Sequence, residues 1–165
     1  MKLRELVAAA LFVALIALTT AFVKIPLAIA GYIHLGDTFI LLACYLLRPR
    51  WAIPACGIGS ALADLISGFV IFAPATLVIK AGMAFLFGLL VYKKPLFWRE
   101  IVGAIVASAF MLAGYFVFEG FLYGWAAALA NVPMASIQPA ACSVLGVALI
   151  QAASRIPAIR DRRTL

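Results

Sequence analysis

A chain of 165 residues that is 67% hydrophobic, with net charge +7 and mean hydropathy +1.18, is too apolar to be a water-soluble domain, because globular proteins average about 45–50% apolar residues. Most of its 13 basic residues gather at the ends of apolar runs, a pattern of membrane topology that argues against a nucleic-acid surface. The composition predicts an all-α integral membrane bundle, one transmembrane domain over residues 1–165 embedded in the lipid bilayer.

In chain order, Leu6–Val23 is longer than the apolar core of a signal peptide, about 7–15 residues, and no convincing cleavage site follows. It reads as a retained first helix over about residues 3–23. Ala10, Ala14, Ala17 and Ala21 share one face, a spacing of small residues that lets another helix approach closely in lipid. Lys24–Gly36 is a loop broken by Pro26, Gly31 and Gly36. Asp37 then stands as the N-cap of a second helix, 37–47. That helix is short for about 30 Å of hydrocarbon.

Arg48-Pro49-Arg50 turns the chain into a third helix, 51–69, containing Gly57-x-Gly59 and Asp64. Without a preceding strand, this Gly-x-Gly marks close helix packing rather than a nucleotide loop. A turn without cations leads to a fourth helix, 75–92. It carries Lys80 inside an apolar run, where a lysine costs roughly 2.5–3.5 kcal/mol. Lys93-Lys94-Pro95 ends it. A fifth helix is expected over 101–118, followed by a short interfacial piece or continuing as one long tilted helix. Asn131-Val132-Pro133 reads as a break, and a sixth helix covers 134–154 before a basic tail. Cys44, Cys56 and Cys142 lie in apolar runs without metal-ligand spacing, so they read as packing residues, and no metal or cofactor is expected.

Eleven of the thirteen cations fall at the two termini and in the 2–3 and 4–5 turns: Lys2, Arg4, Arg48, Arg50, Lys93, Lys94, Arg99, Arg155, Arg160, Arg162 and Arg163. The positive-inside rule then predicts six transmembrane helices with both termini cytoplasmic. In that topology Lys80, Asp64, Glu119 and Gln138 all sit toward the outer ends of their helices, with Tyr115 on the fifth helix and Tyr32 and His34 in the loop above. This predicts a pocket open to the outside and closed below, suited to a small polar ligand. Each residue also has a purely structural reading. Asp64 can pair with Lys80, Glu119 can be solvated at the interface, Gln138 can bond another helix, His34 can sit in water, and the two tyrosines can serve as interface belt and core.

Several of these stretches resemble one family. Ala10-Leu11-Phe12-Val13-Ala14-Leu15-Ile16-Ala17 resembles the first-helix motif of the S components of energy-coupling factor (ECF) vitamin transporters. Tyr32-Ile33-His34-Leu35-Gly36-Asp37 resembles the loop before their second helix. Gly57–Leu65 and Ala73–Gly82 resemble their third and fourth helices. The resemblance covers most of residues 4–92 and lies with the riboflavin, pyridoxine or hydroxymethylpyrimidine branch. It implies a substrate-binding subunit, not an enzyme, in the cell membrane of a bacterial-type cell. Such a subunit binds a vitamin-like small molecule from outside, with the 1–2 loop as lid. It docks through Ala10 and Ala14 onto a transmembrane scaffold subunit, and two ATPase subunits drive the complex. The absence of a phosphate-binding Gly-x-x-x-x-Gly-Lys-Ser/Thr motif agrees with ATP hydrolysis by partners. With one cation, one or two carboxylates and aromatic rings, pyridoxine or a pyrimidine is the favoured ligand, and riboflavin is the alternative. Other readings are a ligand-free membrane scaffold, a solo secondary carrier, or a membrane enzyme, for which a metal set or water-activating cluster is missing.

Overall fold

The computed structural model describes residues 2–26, 32–92 and 95–157, with residues 2, 25, 26, 32 and 33 described by backbone alone. Lys93, Lys94, Arg160, Arg162 and Arg163 lie outside the described residues, as does the side chain of Tyr32.

Helix α1 spans Lys2–Phe22. Two short antiparallel strands follow, β1 (Lys24–Pro26) and β2 (Tyr32–His34), with Lys24 opposite His34. The described ends of the expected loop therefore pair as a two-stranded ribbon. Then come α2 (Gly36–Leu46), α3 (Pro49–Ile66), α4 (Ala73–Val91), α5 (Phe97–Tyr123), α6 (Trp125–Ala135) and α7 (Ile137–Ser154). Six of these, with α6 as an added short helix leading into α7, make a membrane bundle. The segments Leu3–Phe22, Ala73–Val91, Phe97–Tyr123 and Trp125–Ser154 are long and apolar enough to cross a bilayer by themselves. The short α2 is almost wholly buried, with Ile40 and Leu41 fully enclosed, so its neighbours shield it from lipid.

α3 is the hinge of the packing, because its two glycines face opposite neighbours. A methyl group on Gly57 would lie 2.8 Å from the Leu77 carbonyl of α4, and one on Gly59 would lie 2.9 Å from the Val13 carbonyl of α1. Any side chain there would force the backbones apart, so Gly57-x-Gly59 is a packing device. The core lies between α2, α3, α4 and α5, around Ile40, Cys56, Met83 and Phe87.

Of the two readings of the fifth helix, the one continuous helix is observed, and it does not stop at residue 118. No proline interrupts Phe97–Tyr123, and the helix ends only at Gly124, whose φ of 91° is a left-handed conformation favoured by glycine. Pro133 is also not a break, since α6 runs through it and the chain turns at Ser136. The Ser136 hydroxyl closes that turn by donating to the Pro133 carbonyl at 2.7 Å. α6 is held back onto α5 by Asn131, whose Nδ2 donates to Glu119 Oε2 at 2.9 Å.

The small-residue face of α1 divides along its length. Ala17 and Ala21 are buried, whereas Ala10 and Ala14 are exposed beside Val7 and Leu11. At its start α1 is pinned to the α2–α3 turn by Glu5, which accepts from Arg50 Nη2 at 2.7 Å and Trp51 Nε1 at 2.9 Å and pairs with Arg48 at 3.3 Å.

Candidate functional site

The site begins with a carboxylate placed by helix geometry. Asp37 is the second residue of α2, beside the positive end of the helix dipole. It is not the N-cap expected from sequence. Leu35 holds that position and no side chain caps the helix, so the carboxylate is free to turn inward. There Lys80 Nζ meets Asp37 Oδ1 at 2.5 Å, and both side chains are 0% exposed. The partner of Lys80 is thus Asp37 rather than Asp64. The other oxygen, Asp37 Oδ2, accepts from Gln138 Nε2 at 2.6 Å. Lys80 Nζ also lies 2.9 Å from Met111 Sδ and 5.6 Å from the centre of the Tyr115 ring, within cation–π range. The Tyr115 hydroxyl donates to Thr76 Oγ1 at 3.0 Å.

The ribbon closes over this layer. The His34 N–H donates to Gln138 Oε1 at 3.3 Å, and the Cys142 thiol donates to the His34 carbonyl at 3.3 Å. Two backbone groups of β2 are therefore latched to α7. The ring of His34 is buried, with Nδ1 accepting from the Gly36 N–H at 3.0 Å and Nε2 lying 3.3 Å from Gln138 Nε2. Burial pushes the His34 pKa down to about 4; the nearby Asp37 carboxylate opposes that shift, and Lys80 reinforces it. The ring is neutral at pH 7. Because Nδ1 accepts a hydrogen bond, its proton resides on Nε2.

Five elements thus bring His34, Asp37, Lys80, Met111, Tyr115 and Gln138 together. Of the residues singled out from sequence, His34, Lys80, Gln138 and Tyr115 join this cluster. Asp64 and Glu119 do not. Asp64 is seven residues beyond Gly57, and Glu119 eight beyond Met111, so by helix rise each stands about 10–12 Å farther along its helix, one tier away. Both are buried there, and Glu119 is bonded to Asn131. From sequence Asp37 reads as a cap and not as a site residue, because an acid before an apolar run commonly caps a helix. The signal was available, since it is one of only six acids in the chain and opens a helix too short to span alone. Met111 and Cys142 carried no such signal. Among the described residues, no group of three or more His, Cys, Asp or Glu could hold a metal ion.

A family model described as "ECF-type riboflavin transporter, S component" matches residues 1–155. The chain belongs to the ECF S component family. One relative of this S component, from Pyrococcus woesei and described as "Uncharacterized protein in gap 3'region", is 33% identical over 132 residues, covering 79% of this chain and 88% of its own. Another is the "Thiamine precursor transporter HmpT" of Lactococcus lactis subsp. cremoris (strain MG1363), 32% identical over 108 residues, covering 66% of this chain and 61% of its own. A solved chain titled "Structure and mechanism of the S component of a bacterial ECF transporter" superposes with a TM-score of 0.76 at 20% identity, over 92% of this chain and 95% of that one. It shares the fold. As an S component the protein is a multi-pass subunit of the cell membrane that binds a vitamin-type substrate for an ECF transporter, and it is not an enzyme.

Proposed function

We propose that this S component captures an uncharged, vitamin-like heterocycle from outside the cell in the layer formed by His34, Asp37, Lys80, Tyr115 and Gln138. It then delivers the ligand inward through a scaffold subunit and two ATPase subunits. The observation that carries this reading is the internal neutrality of the cluster. Lys80 is matched by Asp37 at 2.5 Å, and His34 is neutral. No charge is left over for a phosphorylated ligand, which would have to enter a low-dielectric site uncompensated. The Asp37 carboxylate beside the Gln138 amide offers an acceptor next to a donor, a match for the edge of a pyrimidine, and the Tyr115 ring offers a face for stacking. The name of the Lactococcus relative, a thiamine precursor transporter, points the same way. Riboflavin is the second reading, favoured by the description of the matching family model.

Lys80 and Asp37 are fully enclosed, so a ligand reaches them only when the β1–β2 ribbon lifts and the two His34 latch bonds to α7 break. Asp64, Glu119 and Tyr32 then form the mouth of the pocket. Both termini face the cytoplasm, following the cations, and the exposed Ala10–Ala14 strip is the docking face for the scaffold.

The test is native mass spectrometry of the detergent-purified chain for a co-purifying ligand, followed by calorimetric titration with hydroxymethylpyrimidine, pyridoxine and riboflavin. Tight one-to-one binding of the pyrimidine or pyridoxine is expected. Binding of riboflavin alone moves the assignment to the second reading. If nothing binds or co-purifies, the chain is a ligand-free membrane protein and the proposal fails. Ala14→Trp should abolish uptake by the assembled transporter while sparing binding, and unimpaired uptake would remove the docking role.

A further inference from the structure

Antiparallel α5 and α7 are joined by two polar rungs. Ser108 Oγ and Ser143 Oγ lie 3.0 Å apart, and Gln151 Nε2 donates to Glu100 Oε2 at 2.5 Å. The rungs are eight residues apart on both helices, so they stay in register at a separation of about 12 Å. Along this seam the helices are otherwise more sparsely packed than α4 against α5 or α2 against α7. A groove of about 750 Å³ is left, running from Phe97 and Gln151 at one end to Leu112 and Ser136 at the other. Its walls are apolar, and small residues such as Ala109, Ala140 and Ala148 leave its width unfilled.

We propose that this groove is a binding site for one acyl chain of an anionic phospholipid, with the headgroup at the Phe97–Gln151 end. Three features fit that occupant. The first is volume: a chain of 16–18 carbons, at about 30 Å³ each, close to the volume share of a water molecule, needs roughly 500 Å³. A whole helix, roughly 10–12 Å across, would not enter a groove of this size. The second is length, since Phe97 to Leu112 spans about 22 Å of helix, close to that of such a chain when extended. The third is charge. Residues 100–154 contain no Lys or Arg, whereas Arg99 and Arg155 flank the Phe97–Gln151 end and Lys93 and Lys94 precede it in sequence. Arg99 stacks over Trp98 at 5.2 Å and donates through Nη1 to the Leu90 carbonyl of α4 at 3.4 Å, while its Nε is a buried donor without a hydrogen-bond partner among the described residues. A headgroup phosphate at this end would lie near Arg99 and Arg155, whereas α5 and α7 carry no Lys or Arg of their own toward the far end.

The experiment uses the full chain in nanodiscs of phosphatidylcholine containing a minority of phosphatidylglycerol, with retained lipid counted by native mass spectrometry. Wild type should keep one phosphatidylglycerol. Ala148→Phe, which fills the groove, should lower retention at least fivefold, with Ala140→Phe as a second filling variant if the first does not fold. Arg99→Gln/Arg155→Gln should keep a lipid but lose the preference for phosphatidylglycerol. Val78→Phe, on the exposed face of α4, should change nothing. Equal retention in the filled and wild-type grooves would overturn the site. So would equal loss in Val78→Phe, which would reveal annular lipid only. A dimer that the filling variants dissolve would make the occupant a second copy. Loss of scaffold assembly with lipid retention intact would make it a partner helix. Either of these outcomes replaces the proposal.

Discussion

The cluster around Lys80 and the seam between α5 and α7 both hold polar side chains at membrane depth, but they are built in opposite ways. Lys80 and Asp37 are enclosed by β2, α2, α4, α5 and α7, with neither side chain exposed. The seam is bridged by two rungs between two helices and stays open between them. The difference follows from charge. A full ion pair in low dielectric is tolerable only when its remaining hydrogen-bonding capacity is met, which takes several elements at once. A serine pair or an amide–carboxylate bond tethers two helices without needing that enclosure, and a groove can persist beside it.

That contrast can be broken most forcefully at Lys80. Lys80→Met leaves Asp37 buried without its cation and should destabilise the bundle by about 3–5 kcal/mol, whereas Lys80→Met/Asp37→Asn should recover most of the loss. Thermal unfolding in one detergent decides this, and a double variant no better than the single would mean the two charges are not coupled. Next in size is the pH response of the lid. The folded-state pKa of His34 lies near 4, below its ordinary 6.5. Its contribution is therefore complete above pH 6.5, is lost as pH falls toward 4, and amounts to about 3 kcal/mol over that window. His34→Gln should flatten the pH profile of stability there, and an unchanged slope would remove His34 as its source.

Gln138→Leu should cost about 1.5–3 kcal/mol, the range for a hydrogen bond to a charged group. It should also free the ribbon, read as faster hydrogen exchange at the His34 amide. The smallest effect belongs to the seam. Ser108→Ala should cost no more than about 0.5–1 kcal/mol, and ligand affinity should not change. A loss as large as that of Gln138→Leu would mean that the seam is structurally coupled to the pocket.

Much of the bundle was readable along the chain. Apolar runs between Arg48-Pro49-Arg50, Lys93-Lys94-Pro95 and the basic ends mark the helices, because hydrocarbon excludes charge and the cations collect where the chain leaves it. Lys80 stood out for the same reason. Local chemistry points elsewhere at two positions: by itself Asp37 reads as a cap and Pro133 as a stop, each a sound inference for an isolated segment. In the folded chain the buried Lys80 draws Asp37 inward, and the Asn131–Glu119 bond holds α6 against α5.

The sequence by itself therefore determined that this is a multi-helix membrane protein with a lysine that needs an explanation, since hydrophobicity and charge act residue by residue. Only the tertiary structure decided that Asp37 rather than Asp64 answers Lys80, that Asp64 and Glu119 stand one tier away, and that α5 and α7 leave a groove. Those outcomes depend on which helices lie side by side and at what register, and residues 43 positions apart, like Asp37 and Lys80, meet only when the whole bundle has closed around them.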